Sequence, residues 1–132
     1  MKSDYDIKTD VYKALLNSPI KGAVSGELKK TKRPINSDKE DIVISVLANR
    51  TAQKQEAFVN VNVYVKDLDI KGQYEENGPR IGQLCQLCFQ SLMVRDKDFR
   101  LSVDTENGQQ VIDVDGGWHM INNKVLYQII ND

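Results

Sequence analysis

Two cysteines, one histidine and a net charge of −1 mark this 132-residue chain, and each scarcity removes a class of protein. Cys85 and Cys88 are too few for a disulfide scaffold, which points to a reducing compartment. With two thiols and one histidine, the chain falls short of the roughly four ligands a zinc site takes. Its 18 basic and 19 acidic side chains cancel, leaving no long-range positive field to concentrate a nucleic acid. No apolar run approaches the roughly 20 residues of a membrane span, and Met-Lys-Ser-Asp-Tyr-Asp at the start lacks the apolar core of a secretory signal. A soluble protein made in the cytoplasm is expected. A Gly-x-Ser-x-Gly elbow is missing, and Gly78-Pro79-Arg80-Ile81-Gly82 has neither the Walker lysine nor a strand before it. No enzymatic activity, cofactor or metal is therefore expected.

The strongest pattern present is Phe58 to Lys66. Val59, Val61, Val63 and Val65 alternate with Asn60, Asn62, Tyr64 and Lys66, the period of a half-buried strand built on β-branched residues. Before it, Asp41 to Leu47 is apolar on both faces and reads as an interior strand, joined to the valine strand by a polar hairpin connection over residues 49–56. Asp4 to Asn17 has helical spacing at Ile7, Val11, Ala14 and Leu15, with Asp4 or Asp6 as cap and Ser18-Pro19 as stop. Glu27 to Arg33 reads as a polar edge strand after a turn bracketed by Gly22 and Gly26. Asp67 to Gly78 reads as a loop containing Tyr74.

A second helix starts near Pro79 and runs to Val94, with Ile81, Leu84, Cys85, Cys88 and Leu92 in one stripe. Three strands follow: Phe99 to Val103, Gln110 to Val114 and Trp118 to Ile130. Asn107-Gly108 signals a hairpin between the first two, and Gly116-Gly117 a second turn. The expectation is a single α+β domain over residues 1–132, with a mostly antiparallel sheet, two helices on one face and the order α-β-β-β-α-β-β-β.

The residues that carry chemistry are weighed against plainer roles. Cys85-x-x-Cys88 lies inside the helix on its apolar stripe, so it reads as core and not as a redox pair at a helix N-terminus. His119 reads as structural, with general-base work by a small enzyme or redox protein through Cys85, Cys88 or His119 as the alternative. Asp67-x-Asp69 and Asp113-x-Asp115 read as solvated turn residues. Lys29, Lys30, Lys32 and Arg33 form the basic cluster. They blunt a sheet edge or contact a partner, a weak nucleic-acid module being the other alternative; no aromatics that could stack bases alternate with them. Asn60, Asn62, Tyr64 and Tyr74 are the candidates for contact with another protein.

The helix Val11-Tyr12-Lys13-Ala14-Leu15-Leu16, then Ser25-Gly26-Glu27, Lys32-Arg33-Pro34, Asp41-Ile42-Val43-Ile44 and the Val-Asn-Val-Asn-Val strand resemble small proteins of prophage-type regions. Together with the element order and chain size, they resemble the tail-terminator and tail-completion proteins of long-tailed phages. That resemblance implies a non-enzymatic structural protein working as a ring, commonly a hexamer, at the head-proximal end of the tail tube. Its implied partners are copies of itself and tail-tube or head-connector proteins, with no membrane, specific nucleic acid or small-molecule substrate. Its implied location is the cytoplasm on synthesis and the virion afterwards.

Overall fold

The computed structural model describes residues 1–51 and 54–130. The chain is an α+β protein with a mostly antiparallel sheet. Helix α1 spans Asp4–Leu15 and is capped by Ser3, not by either aspartate: Ser3 Oγ accepts from Asp6 N at 3.1 Å while Asp6 Oδ2 accepts from Ser3 N at 3.0 Å. Ser18-Pro19 does more than stop α1. Ser18 caps a second helix, α2 (Pro19–Ala23), with Pro19 in its first turn. The expected pair of helices thus becomes three, the last being α3 (Gly78–Ser91).

Strand β1 is only Leu28–Lys29, a short remnant of the expected Glu27 to Arg33 strand, and it pairs parallel with β2 (Ile42–Thr51). Strand β3 (Gln55–Lys66) pairs antiparallel with β2 and carries the predicted alternation: Val59, Val61 and Val63 are fully buried and Val65 nearly so. Part of the connection expected at residues 49–56 is strand, and Ala52 and Gln53 lie outside the described residues.

The expected loop from Asp67 to Gly78 contains a hairpin of its own, β4 (Leu68–Ile70) and β5 (Gln73–Glu75), apart from the main sheet. Its two-residue turn, Lys71-Gly72, has positive φ at both positions (54° and 84°), the backbone of a tight hairpin.

After α3 come β6 (Val94–Arg95), β7 (Phe99–Val103), β8 (Gln109–Val114) and β9 (Trp118–Ile129). The main sheet runs β1-β2-β3-β9-β7-β6, with β8 also bonded to β9. Strands β7 and β8 do not form the hairpin expected at Asn107-Gly108. They lie end to end along one side of β9, β7 against residues 125–129 and β8 against residues 118–123. Gly108 allows the step for a steric reason: a Cβ there would sit 2.6 Å from the Asp104 carbonyl oxygen. The Gly116-Gly117 turn joins β8 to β9 as expected, both glycines having φ of 84°.

Ile7, Val11 and Leu15 of α1, Ile20 of α2, and Ile81, Leu84, Cys88 and Leu92 pack with the odd-numbered face of β3 and β9 into one core. The even-numbered face of those strands belongs to no helix and stays half-exposed at Phe58, Tyr64, Met120 and Leu126.

Candidate functional site

On the open sheet face, Asn60 and Asn62 are tied to their neighbour strand. Asn122 Nδ2 donates to Asn62 Oδ1 at 2.7 Å and to Asn60 Oδ1 at 3.2 Å, so the amides brace β3 against β9. Tyr64 is roofed by Arg33, whose guanidinium lies 4.5 Å from the Tyr64 ring and 4.2 Å from the Trp118 ring. Arg33 also donates from Nε to Asp41 Oδ2 at 3.1 Å. The structure therefore divides the basic cluster. Arg33 is committed to the fold, and Lys30 reaches back to Tyr5 and Thr9 on α1, its Nζ 4.5 Å from the Tyr5 ring centre. Lys29 and Lys32 have no recorded side-chain partner among the described residues.

Tyr74 is 61% exposed on the β4–β5 hairpin, its ring running beside Gly117. Every residue of β4 and β5 is exposed, including Leu68 (43%) and Ile70 (48%). In β4, Leu68 and Ile70 share one side while Asp69, paired with Tyr74, takes the other. Two three-residue strands are marginal alone in water, and this hairpin leaves Leu68 and Ile70 open to solvent.

Beside the hairpin the fold gathers a constellation that sequence spacing hides. His119 Nδ1 lies 2.6 Å from Asp67 Oδ1, 52 residues away, and His119 Nε2 lies 3.8 Å from Glu76 Oε2. Asp67, Asp113 and His119 each present a ligand atom within 4.8 Å of the others, the geometry of a site able to hold a divalent cation by one nitrogen and two carboxylates. The signal available in sequence was the pair of Asp-x-Asp segments; the β8–β9 hairpin then sets Asp113 directly across from His119. An Asp–His pair is also half of an acid–base relay. Among the described residues no serine, threonine or cysteine is recorded bonding His119, whose contacts are Asp67 and Glu76.

Cys88 is fully buried, and burial pushes its thiol up to about 12; burial likewise raises Cys85. Neither presents a thiolate at neutral pH. Replacing both with alanine is expected to cost about 1–3 kcal/mol in urea unfolding and to leave metal content unchanged. Stoichiometric zinc that is lost when both cysteines are replaced would contradict the core assignment.

No protein-family model matches the chain, and no curated protein sequence matches it.

Proposed function

We propose that this chain is a non-enzymatic structural subunit that acts by docking onto copies of itself and onto a tube-like partner, in the manner of phage tail-terminator and tail-completion proteins. The observation that carries the reading is the β4–β5 hairpin, which projects Leu68, Ile70 and Tyr74 at 43–61% exposure. An apolar arm of this kind has a role in an assembly and little use in a solitary protein. The half-exposed sheet face supports the same reading, because a sheet left open on one side offers a broad platform to a partner. The phage assignment itself rests on the resemblance of the sequence, and with it come the ring, the tail-tube or head-connector partner and the place in the virion.

The test mixes the chain with the tail-tube subunit encoded in the same gene cluster and follows binding at tube ends by electron microscopy and co-sedimentation. Leu68→Lys with Ile70→Lys is expected to weaken association at least about tenfold, the equivalent of 1.4 kcal/mol. The thermal midpoint should stay near wild type, because both residues are exposed. Equal binding by the double variant removes the hairpin from the interface, and failure of the wild type to associate removes the tail reading.

A further inference from the structure

Asp67 and Glu76 are the two feet of the β4–β5 arm: one directly precedes β4 and the other directly follows β5. Both meet His119. Val65, His119 and Asp113 form one row across β3, β9 and β8, on the side of the sheet that carries the buried valines, so the imidazole and the Asp113 carboxylate project from the same face at the rim of the core. The Asp67 side chain is 5% exposed and that of His119 15%, while Glu76, at 59%, reaches in from solvent.

The two ring nitrogens of His119 have different surroundings. The N–H at Nδ1 donates to Asp67 Oδ1 at 2.6 Å, closer than two ligands of one metal ordinarily approach, so this contact is a hydrogen bond that orients the ring and leaves Nε2 with its lone pair free. Glu76 Oε2 lies 3.8 Å from Nε2, inside the span of about 4 Å that two ligands each about 2 Å from one cation can bridge. Asp113 is exposed and presents an oxygen within 4.8 Å of the ligand atoms of Asp67 and His119, so a small turn of its side chain completes a set of one nitrogen and two carboxylates. Three carboxylates gather around one imidazole here, and among the described residues no lysine or arginine is recorded bonded to any of them. Like charges so placed repel, and a cation among them relieves the repulsion. The scarcity of cysteine and histidine argues only against a thiolate-rich centre, because carboxylates make up the rest of this set.

We propose that His119 Nε2, Asp113 and Glu76 bind a divalent first-row transition-metal ion such as zinc, with Asp67 as the residue that positions the ring. The nitrogen ligand favours zinc over calcium or magnesium, which are held chiefly by oxygen. Because Asp67 and Glu76 stand at the two feet of the arm, the same ion pins both to β8 and β9 and steadies a hairpin whose three-residue strands are marginal alone. The site stands apart from the docking reading, since it needs only these four side chains.

Untagged protein stripped of metal by a chelator is titrated with zinc chloride in a calorimeter, and circular dichroism checks the fold of each variant. Wild type is expected to bind one zinc per chain at concentrations up to about 100 μM, and to prefer it to calcium or magnesium at least about tenfold. Glu76→Gln and Asp113→Asn, both at exposed positions, should each weaken binding at least about tenfold, Asp67→Asn should weaken it about 10–100-fold, and His119→Ala should abolish it. Cys85→Ala with Cys88→Ala should bind as wild type does. Zinc should also slow tryptic cleavage after Lys71, in the turn of the arm, in wild type and leave the rate in His119→Ala unchanged. The site is overturned by a wild type that binds no zinc in this range, by Glu76 and Asp113 variants that bind as wild type does, or by calcium or magnesium binding equally well. The pinning of the arm is overturned by zinc that binds without slowing cleavage at Lys71.

Discussion

Replacing Tyr127 with alanine is expected to remove about 3–5 kcal/mol of stability, the cost of emptying an aromatic site in a packed core. Tyr127 is fully buried on β9, with its ring stacked on Phe99 at 5.3 Å between centres. Its hydroxyl donates to Asp10 Oδ2 at 2.6 Å, and the same oxygen accepts from Lys2 Nζ at 2.5 Å, so one side chain ties the last strand to the first helix. Tyr127→Phe separates packing from polarity. It keeps the ring, removes one hydrogen bond to a charged acceptor and should cost about 1.5–3 kcal/mol at neutral pH. The two also differ in pH dependence. Burial first, and then the Asp10 carboxylate, raise the Tyr127 phenol above its ordinary value. A phenol held neutral in the fold but free to ionise in the unfolded chain stabilises fully below pH about 10 and progressively less above it. Wild type should therefore lose about 1.4 kcal/mol per pH unit relative to the phenylalanine variant on the alkaline side. Urea unfolding of both proteins between neutral pH and pH about 11 measures the difference, and parallel curves would show that the phenol is not protected.

The elements legible in the sequence are those whose burial follows a simple period. Val59 to Val65 and, of the helix stripe, Ile81, Leu84, Cys88 and Leu92 are buried as their spacing predicts, because one side of each element faces the core, while Cys85 of the same stripe is half-buried. The Asn107-Gly108 pair misleads because glycine there serves close packing. Gly108 has no positive φ, and its N–H donates to Asp104 O at 2.7 Å while its carbonyl accepts from Lys124 N at 2.7 Å, stepping the chain along β9 without reversing it. The β4–β5 hairpin escapes notice because its strands have three residues each and Lys71 replaces the usual asparagine or aspartate before glycine. Its exposure leaves no alternation of burial to detect. The His119 constellation is hidden for a different reason. Asp67, Asp113 and His119 meet only because β3 and β8 both flank β9, and pairing at 52 residues' separation has no local signature. Among the candidate contact residues, Asn62 and Arg33 have partners inside the chain that composition alone does not reveal. The exposed arm beside them is what three-dimensional placement adds.

The second large effect is expected at Asp41, a carboxylate 1% exposed at the start of β2. It accepts from Glu27 N at 2.9 Å, Ser37 Oγ at 2.6 Å and Arg33 Nε at 3.1 Å, and so closes the crossing from β1 to β2 into a fixed loop. The backbone around it is built to that carboxylate: a Cβ on Gly26 would lie 2.2 Å from Asp41 Oδ1. Asp41→Ala leaves the Glu27 amide and the Arg33 guanidinium facing an empty acceptor site, and should cost about 3–5 kcal/mol. It should also loosen Arg33 from Tyr64 and Trp118, visible as a change in tryptophan fluorescence, since Trp118 is the sole tryptophan. Asp41→Asn retains the shape but loses the charge, and is expected to fall between alanine and wild type. Burial alone would raise the Asp41 carboxyl, but the bonds from Ser37, Glu27 and Arg33 outweigh it and hold the group below its usual value. A carboxylate lowered in the fold contributes its full stability above pH about 4 and gives it up as pH falls through the folded value. Wild type should thus approach the asparagine variant in stability below pH about 4, while the gap between them stays constant near neutrality. A gap that persists unchanged under acid conditions would mean that the carboxylate's charge contributes nothing, and that its shape alone holds the loop.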